Sequence, residues 1–426
     1  MLTSLYQYKR KFIKKIKNRI KRFFVNVLIN HPKHSKFIFY LSYCFPINRF
    51  LRLHKIDYVS NLANYKRFDF SQHSKNHSFH DINTQKQTIN SKKLNGIGYA
   101  TLMDAEIISG SEFIFKKGMA YKQFYILSVS LEHIKFSNFK GSIANNSSYI
   151  LCHKNKYDKA KLNKIIYLSG SYDNNWYHWL IEILPKLYLI KKYINDYKTY
   201  DLVISESVFA SKTHMESLKL IAKNDKIVLI KPGVFYKAKE ILYVETPANS
   251  DFETKKPLKY VLKNGNFYAE VLKSYKLFME KQILRSEKKF GKYIYLYRNQ
   301  NTRKFNQNEI INLIRLYGFE VVDTAKLSFS DQVNLFKHAE IILGASGAAW
   351  TNIIFSSSKT KALIFYPSKM GDSSTFPNLA SVPKAKLYQI DFQIQENDWQ
   401  SFIRSNKEAT VNIIELEEKI RKMINN

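Results

Sequence analysis

Short apolar runs separated by amphipathic stretches dominate the second half of the chain. Tyr293-Ile294-Tyr295-Leu296-Tyr297, Phe319-Glu320-Val321-Val322, Glu340-Ile341-Ile342-Leu343 and Ala362-Leu363-Ile364-Phe365 are rich in β-branched or aromatic residues. That is the signature of strands buried on both faces. Between them, Glu309–Tyr317 and Ser330–Ala339 carry apolar residues at helical spacing. Strands alternating with helices predict right-handed crossovers and a parallel sheet. An earlier series has the same form, with strands at Lys164–Ser169, Asp201–Ser205, Lys226–Ile230 and Glu240–Val244 and helices at Asn174–Leu184 and Ser207–Ala222. The polar stretch Pro247–Pro257 leads into a long helix, Leu258–Ser286, and Val411–Ile424 closes the chain as a further helix.

Elsewhere the pattern changes. From Gly96 to Ile150, short strands broken at Gly110-Ser111, Lys117-Gly118 and Asn145-Asn146 predict a small antiparallel cap. Residues 61–95 are polar and aperiodic, and read as a linker or long surface loop. The expected fold class is therefore α/β, with two Rossmann-like domains, a β cap and a helical N-terminal extension. The expected divisions are 1–60 for the extension, 61–95 for the linker, 96–285 for the N-terminal domain with its cap, and 286–426 for the C-terminal domain.

Charge changes the picture at the N-terminus. The formal net charge is +33, and residues 1–56 contain no Asp or Glu. Phe12, Ile16, Ile20, Phe23 and Val27 recur at helical steps among Lys and Arg, which makes one apolar face on a basic helix. Such a helix suits the headgroup region of an anionic bilayer. Packing on the protein's own core and binding of nucleic acid are the other readings. The charged region is too long for a secretory signal and lacks a small-residue cleavage site. The apolar run from Phe37 to Ile47 falls short of the roughly 20 residues needed to span a bilayer. With only Cys44 and Cys152, the chain has no disulfide framework, which fits a reducing compartment. The expected location is cytoplasmic, peripheral on the inner face of the cell membrane.

Few residues invite chemistry. Gly344-Ala345-Ser346-Gly347-Ala348-Ala349-Trp350-Thr351-Asn352 leaves a predicted strand and opens a predicted helix. Backbone N–H groups at such a turn cradle phosphate, aided by the positive end of the helix. A tight turn that needs glycine for packing is the second reading of the same residues. His178 and Glu182 lie four apart on a helix, so a carboxylate can orient an imidazole acting as general base. Packing of that histidine among Trp176, Tyr177 and Trp179 is the alternative. Arg298 ends a predicted strand and Arg303 follows in the loop, where guanidinium forks match phosphate oxygens. Asn306-Gln307-Asn308-Glu309 resembles a capping box, which leaves Glu309 either a cap or a ribose or sugar contact. His73, His77 and His80 read as scattered solvated histidines. Asp251-Phe252-Glu253 reads as solvated loop acids, so no metal site is expected.

A family resemblance joins these residues. Tyr295-Leu296-Tyr297-Arg298, Arg303, Asn308-Glu309, Tyr317-Gly318-Phe319, Gln332 and Gly344 through Phe355 resemble the C-terminal half of glycosyltransferase family 61, also labelled a capsular-polysaccharide-biosynthesis domain in bacteria. Asn175-Trp176-Tyr177-His178-Trp179-Leu180-Ile181-Glu182, with Pro185 and Leu187, is similar to its upstream motif, and the two blocks lie within roughly residues 95–390. Where many members carry His, this chain has Ser346, so no imidazole acts there.

The resemblance implies a GT-B arrangement, two domains facing a cleft, and inverting transfer of a sugar from a nucleoside diphosphate sugar to a saccharide or lipid-linked saccharide acceptor. His178 would be the base and Glu182 its partner. Arg298, Arg303, Glu309, Gly344, Ser346, Gly347, Ala348, Thr351 and Asn352 would form the donor site, with no cofactor required. A catalytically silent scaffold of a polysaccharide assembly complex remains an alternative. So does a nucleic-acid-binding protein, although no specific nucleic-acid motif accompanies the charge.

Overall fold

The computed structural model describes residues 15, 18–31, 34–44, 51–71, 73–123, 142–146, 148–153, 157–170, 172–249, 266–283, 288–299, 303–368, 374–395 and 407–425. It is a mixed α/β protein built on a large central sheet and a second, wholly parallel one.

The first βα series supplies strands β1 (Tyr157–Tyr167), β2 (Asp201–Ser205), β3 (Ile227–Ile230) and β4 (Phe235–Val244). They pair in parallel in the order β3-β2-β1-β4. The order reverses between β1 and β4, so their carboxyl ends flank a crevice of the kind that receives ligands in open parallel sheets. Further strands extend the sheet from β4, beginning with Gly98–Ile108, to eleven among the described residues; they pair antiparallel except where Leu51–Tyr58 lies parallel to Met119–Lys122. The antiparallel cap is therefore part of the central sheet.

The second series forms β5 (Tyr293–Leu296), β6 (Glu320–Val322), β7 (Ile341–Ala345), β8 (Lys361–Tyr366) and β9 (Lys386–Asp391). All five are parallel, in the order β6-β5-β7-β8-β9. The reversal falls between β5 and β7. Arg298 lies just past β5 and Gly347 just past β7, so both stand at the edge where such sheets bind ligands. Helix Phe329–His338, capped by the Ser328 hydroxyl accepting from Asp331 N–H at 3.1 Å, delivers the chain into β7. One apolar cluster runs through both units, from Trp179 and Leu187 to Trp350 and Phe355.

Residues 61–95 do more than link. His73–His77 and Ile89–Lys93 pair as an antiparallel hairpin. His77 N–H donates to Asn378 Oδ1 at 2.8 Å, and His80 pairs in parallel with Tyr388 at the edge of β9. Polar composition suggested a linker or long surface loop, but His80 and Gln85 cover the edge of β9, where His80 N–H donates to Leu387 O at 2.8 Å and Tyr388 OH to Gln85 Oε1, so backbone groups there do not stand open. His77 and His80 both meet the Gln87 side chain, which gives the two histidines a structural use.

The basic N-terminal helix is described over 18–30, so Phe12 and Ile16 lie outside the described residues. Phe24, Val27 and Leu28 are buried against Leu51, Leu53, Tyr149 and Leu151, while Phe23 is exposed. The apolar face is thus rotated by about one residue from the expected one and packs on the protein's own core. On the next helix, Ser35–Cys44, Phe37 and Tyr40 are 65% and 59% exposed, one turn apart. No helix among the described residues is long and apolar enough to cross a membrane.

Candidate active site

The upstream motif begins at the carboxyl end of β1. The chain turns through Tyr172, which has a positive φ of 60°, and becomes helical at Trp176. Asn175 Oδ1 accepts from Tyr177 N–H at 2.9 Å and caps that start. His178–Ile183 forms a π-turn that passes directly into α-helix Leu184–Tyr193. Pro185 follows directly on the expected helix Asn174–Leu184, where a proline ends or kinks a helix. It sits in the first turn of the α segment instead, where the widened turn before it tolerates a missing N–H.

Within this turn, His178 Nδ1 and Glu182 Oε2 are 2.6 Å apart. Tyr172 stacks on the imidazole, with ring centroids separated by 5.6 Å. Burial works against the imidazolium, but the charge and hydrogen bond of Glu182, with Glu112 behind it, outweigh burial and raise His178 above its ordinary 6.5. With its proton on Nδ1 facing Glu182, the imidazole presents Nε2 as the basic nitrogen.

At the second switch point, Arg298 and Arg303 converge. Each donates through Nη1 to the Ser346 carbonyl, at 3.0 and 3.1 Å. Burial lowers the pKa of Arg298; burial, reinforced by the charge of Arg298, lowers that of Arg303. Gln307, which sequence reasoning treated only as part of a cap, is buried and clamps the backbone of Arg298. Its Oε1 accepts from Arg298 N–H at 3.1 Å, and its amide donates to Arg298 O at 3.0 Å. Three buried polar atoms lie at this turn with no partner among the described residues: Arg298 Nε, Ser346 Oγ and Thr351 Oγ1.

The glycines have distinct roles. A Cβ on Gly344 would press on Leu296 of β5, at 3.0 Å from its Cβ. Gly347 has an extended backbone open to any residue, but a Cβ there would run into Arg298 Nη1. Thus Gly347 makes room for a guanidinium. From Ala348 to Phe355 the chain runs as a 3-10 helix, with Trp350, Thr351 and Asn352 buried.

The two motifs are joined. Trp176 Nε1–H donates to Asn352 Oδ1 at 3.1 Å, and Asn352 Nδ2 donates to Gln332 Oε1 at 2.8 Å. Glu309 is exposed and accepts from Asn306 Nδ2 at 2.9 Å. The expected capping box does not form, because the Asn306 amide pairs with both backbone groups of Val411. Asp251 and Glu253 lie outside the described residues, and among the described ones no three His, Cys, Asp or Glu side chains converge as a metal site.

On and around the helix of His178, sequence reasoning missed a set of charged residues, of which Lys122, Lys186 and Glu245 are buried and Glu112 is partly exposed. Glu112, Lys122, Lys186 and Glu245 come from the cap, the same helix and the end of β4, too far apart in sequence to form a motif. Asp173 was missed as well. Its buried carboxylate accepts from Ser169 at 2.6 Å and Ser207 at 3.3 Å, tying the loop before His178 to the ends of β1 and β2.

Residues 176–363 match the family model of Glycosyltransferase 61. The match starts at the tryptophan bonded to Asn352 and ends within β8, so it contains both motifs apart from Asn175, and the second switch point. No curated protein matches the chain. The family match supports transferase activity. Two motifs separated by more than a hundred residues are here bonded to each other, which agrees with a single site drawing on both.

Proposed function

We propose that this protein is an inverting glycosyltransferase of GT-B type that moves a sugar from a nucleoside diphosphate sugar to a saccharide or lipid-linked saccharide in surface or capsular polysaccharide synthesis. The observation that carries the reading is the pair Arg298 and Arg303 converging on Ser346 O at the switch point, beside buried polar atoms without partners. Two guanidiniums and the start of the 348–355 helix suit a diphosphate.

In this reading His178 Nε2 takes the proton of an acceptor hydroxyl, and the oxygen attacks the anomeric carbon from the face opposite the diphosphate. The bond from that carbon to the diphosphate oxygen breaks, its electron pair leaving on the diphosphate with inversion. Glu182 holds the imidazole and stabilises the imidazolium that forms. Arg298, Arg303 and the turn Gly344–Asn352 answer the charge growing on the leaving group. They supply the positive charge that a divalent metal supplies elsewhere, so we read the reaction as metal-independent.

The acidic-free N-terminal region and the exposed Phe37 and Tyr40 support a place at the anionic inner face of the cell membrane. The test of the reading is calorimetry with UDP, GDP and dTDP against their nucleosides, followed by transfer assays with the corresponding sugars. Equal affinity for nucleoside and diphosphate would overturn it.

A further inference from the structure

The loop between β1 and the helix of His178 holds an aromatic ring where packing does not explain it. Tyr172 has a φ of 60°, in the left-handed region that glycine and asparagine enter at little cost and a bulky side chain does not. Six non-glycine residues among the described ones have a positive φ, and of these Tyr172 alone is aromatic. It is also 55% exposed, so burial does little to offset the strain.

The surrounding chain holds this residue firmly. Tyr172 O accepts from Asn175 N–H at 2.8 Å. The next residue, Asp173, is buried and accepts from the hydroxyls of Ser169 and Ser207. Ser169 Oγ in turn accepts from Gly110 N–H at 3.1 Å, just past strand Gly98–Ile108. The loop is thus pinned to three strand ends, and it presents the phenol ring against His178 with the two ring planes 30° apart. Backbone strain held in this way gathers at active sites and ligand clamps.

We infer that Tyr172 is a stacking platform for the saccharide acceptor, and that it holds the sugar next to the one whose hydroxyl reacts. This rests on the glycosyltransferase reading, with His178 as base. One face of a pyranose is made of C–H bonds whose hydrogens are slightly positive, and the face of a phenol ring is negative. Stacking the two also takes that apolar face out of water. Distance decides which sugar sits there. One face of the ring is turned to the imidazole, 5.6 Å away between centroids. A sugar in van der Waals contact with the other face lies about 4 Å further out, roughly 9 Å from the imidazole. A hydroxyl gives up its proton to a base only within about 3.2 Å. The stacked sugar is therefore too distant to react, and its neighbour in the saccharide, one ring nearer, reaches His178. Such a site favours acceptors of two or more sugars over single ones.

The experiment is saturation-transfer NMR on the full-length protein with methyl glucoside, methyl galactoside and methyl mannoside, set against maltose, cellobiose and lactose. Wild type should bind at least one disaccharide more tightly than the methyl glycosides, with saturation strongest on the C–H protons of one ring. Tyr172→Asn and Tyr172→Gly should weaken that binding about tenfold, the scale of one aromatic face contact, and Tyr172→Phe should keep it. Affinity for UDP or GDP should stay as in wild type. Melting temperatures of the Asn and Gly variants should equal or exceed that of wild type, because both residues suit a positive φ. A ring that served only the fold would lower the melting temperature when removed and leave disaccharide affinity unchanged. That result overturns the proposal, as does a wild type that binds none of the six sugars or a failure of both the Asn and Gly variants to fold. Turnover of UDP-, GDP- or dTDP-sugars with disaccharide binding unmoved in the variants removes the platform and leaves the transferase reading standing. Disaccharide binding that is lost with the ring, in a protein that turns over no nucleotide sugar, supports the platform and counts against the transferase reading alone.

Discussion

The indole N–H of Trp176 donates to the side-chain carbonyl of Asn352, which joins the helix carrying His178 to the turn holding the arginines. Asn352 is fully buried, and its amide is oriented by Gln332, whose own amide donates to Thr324 O at 3.0 Å. Trp176→Phe keeps an aromatic ring against His214 and Phe329 but leaves Asn352 Oδ1 without its donor. An unanswered buried acceptor costs about 1–3 kcal/mol. Denaturant unfolding should show that loss, and turnover should fall more than nucleoside diphosphate affinity. Unchanged stability would mean that the bond carries no net energy.

Gly347→Ala should displace Arg298. The backbone at Gly347 is extended, so the alanine protein is expected to fold with a melting temperature near wild type. Loss of a charge-assisted contact costs about 1.5–3 kcal/mol, so UDP or GDP should bind roughly 10- to 150-fold more weakly. Arg298→Ala should give the same loss, and the double variant should be no worse than Arg298→Ala. Additive losses would show that the two residues act separately.

His178→Ala should lower turnover about 10²–10⁴-fold and leave nucleoside diphosphate affinity unchanged. The base works only when neutral, so activity in wild type rises with pH through the His178 pKa, which lies above 6.5. Glu182→Gln removes the charge that favours the imidazolium, so its acid limb should move to lower pH. A limb that stays put would separate Glu182 from the titration of the base.

Glu309→Ala should leave UDP and GDP affinity within about twofold of wild type, because its carboxylate faces Asn306 on the exposed side of helix Gln307–Arg315. Calorimetry of the variant checks this. A tenfold loss would return Glu309 to the donor site.

Phe37→Ser/Tyr40→Ser should reduce binding to vesicles of anionic lipid with little change in melting temperature, since both rings are exposed. Arg19→Glu/Arg22→Glu should do the same and weaken the salt dependence of binding. Deleting the helix 18–30 is the poorer test, because Phe24, Val27 and Leu28 belong to the core. Vesicle binding unchanged in both variants would place any membrane contact elsewhere.

By itself the sequence determined what is periodic or contiguous. Alternating apolar runs foretold two parallel βα series, because a strand buried on both faces and a half-buried helix leave different periods. The His178–Glu182 pair was legible because one helical turn brings residues four apart together, and the turn Gly344–Asn352 was legible because small residues gather after a strand. Tertiary structure alone decided what meets across elements. Strand order put Arg298 beside Gly347, the join between units bonded Trp176 to Asn352, and the cap brought Glu112 and Lys122 to the helix of His178. It also turned the apolar face of the N-terminal helix onto Leu51 and Leu151, and brought His80 and Gln85 against the last strand of the parallel sheet. Local period records which side of an element is apolar. Which partner covers that side depends on how strands are ordered and crossed, and no spacing along the chain carries that information.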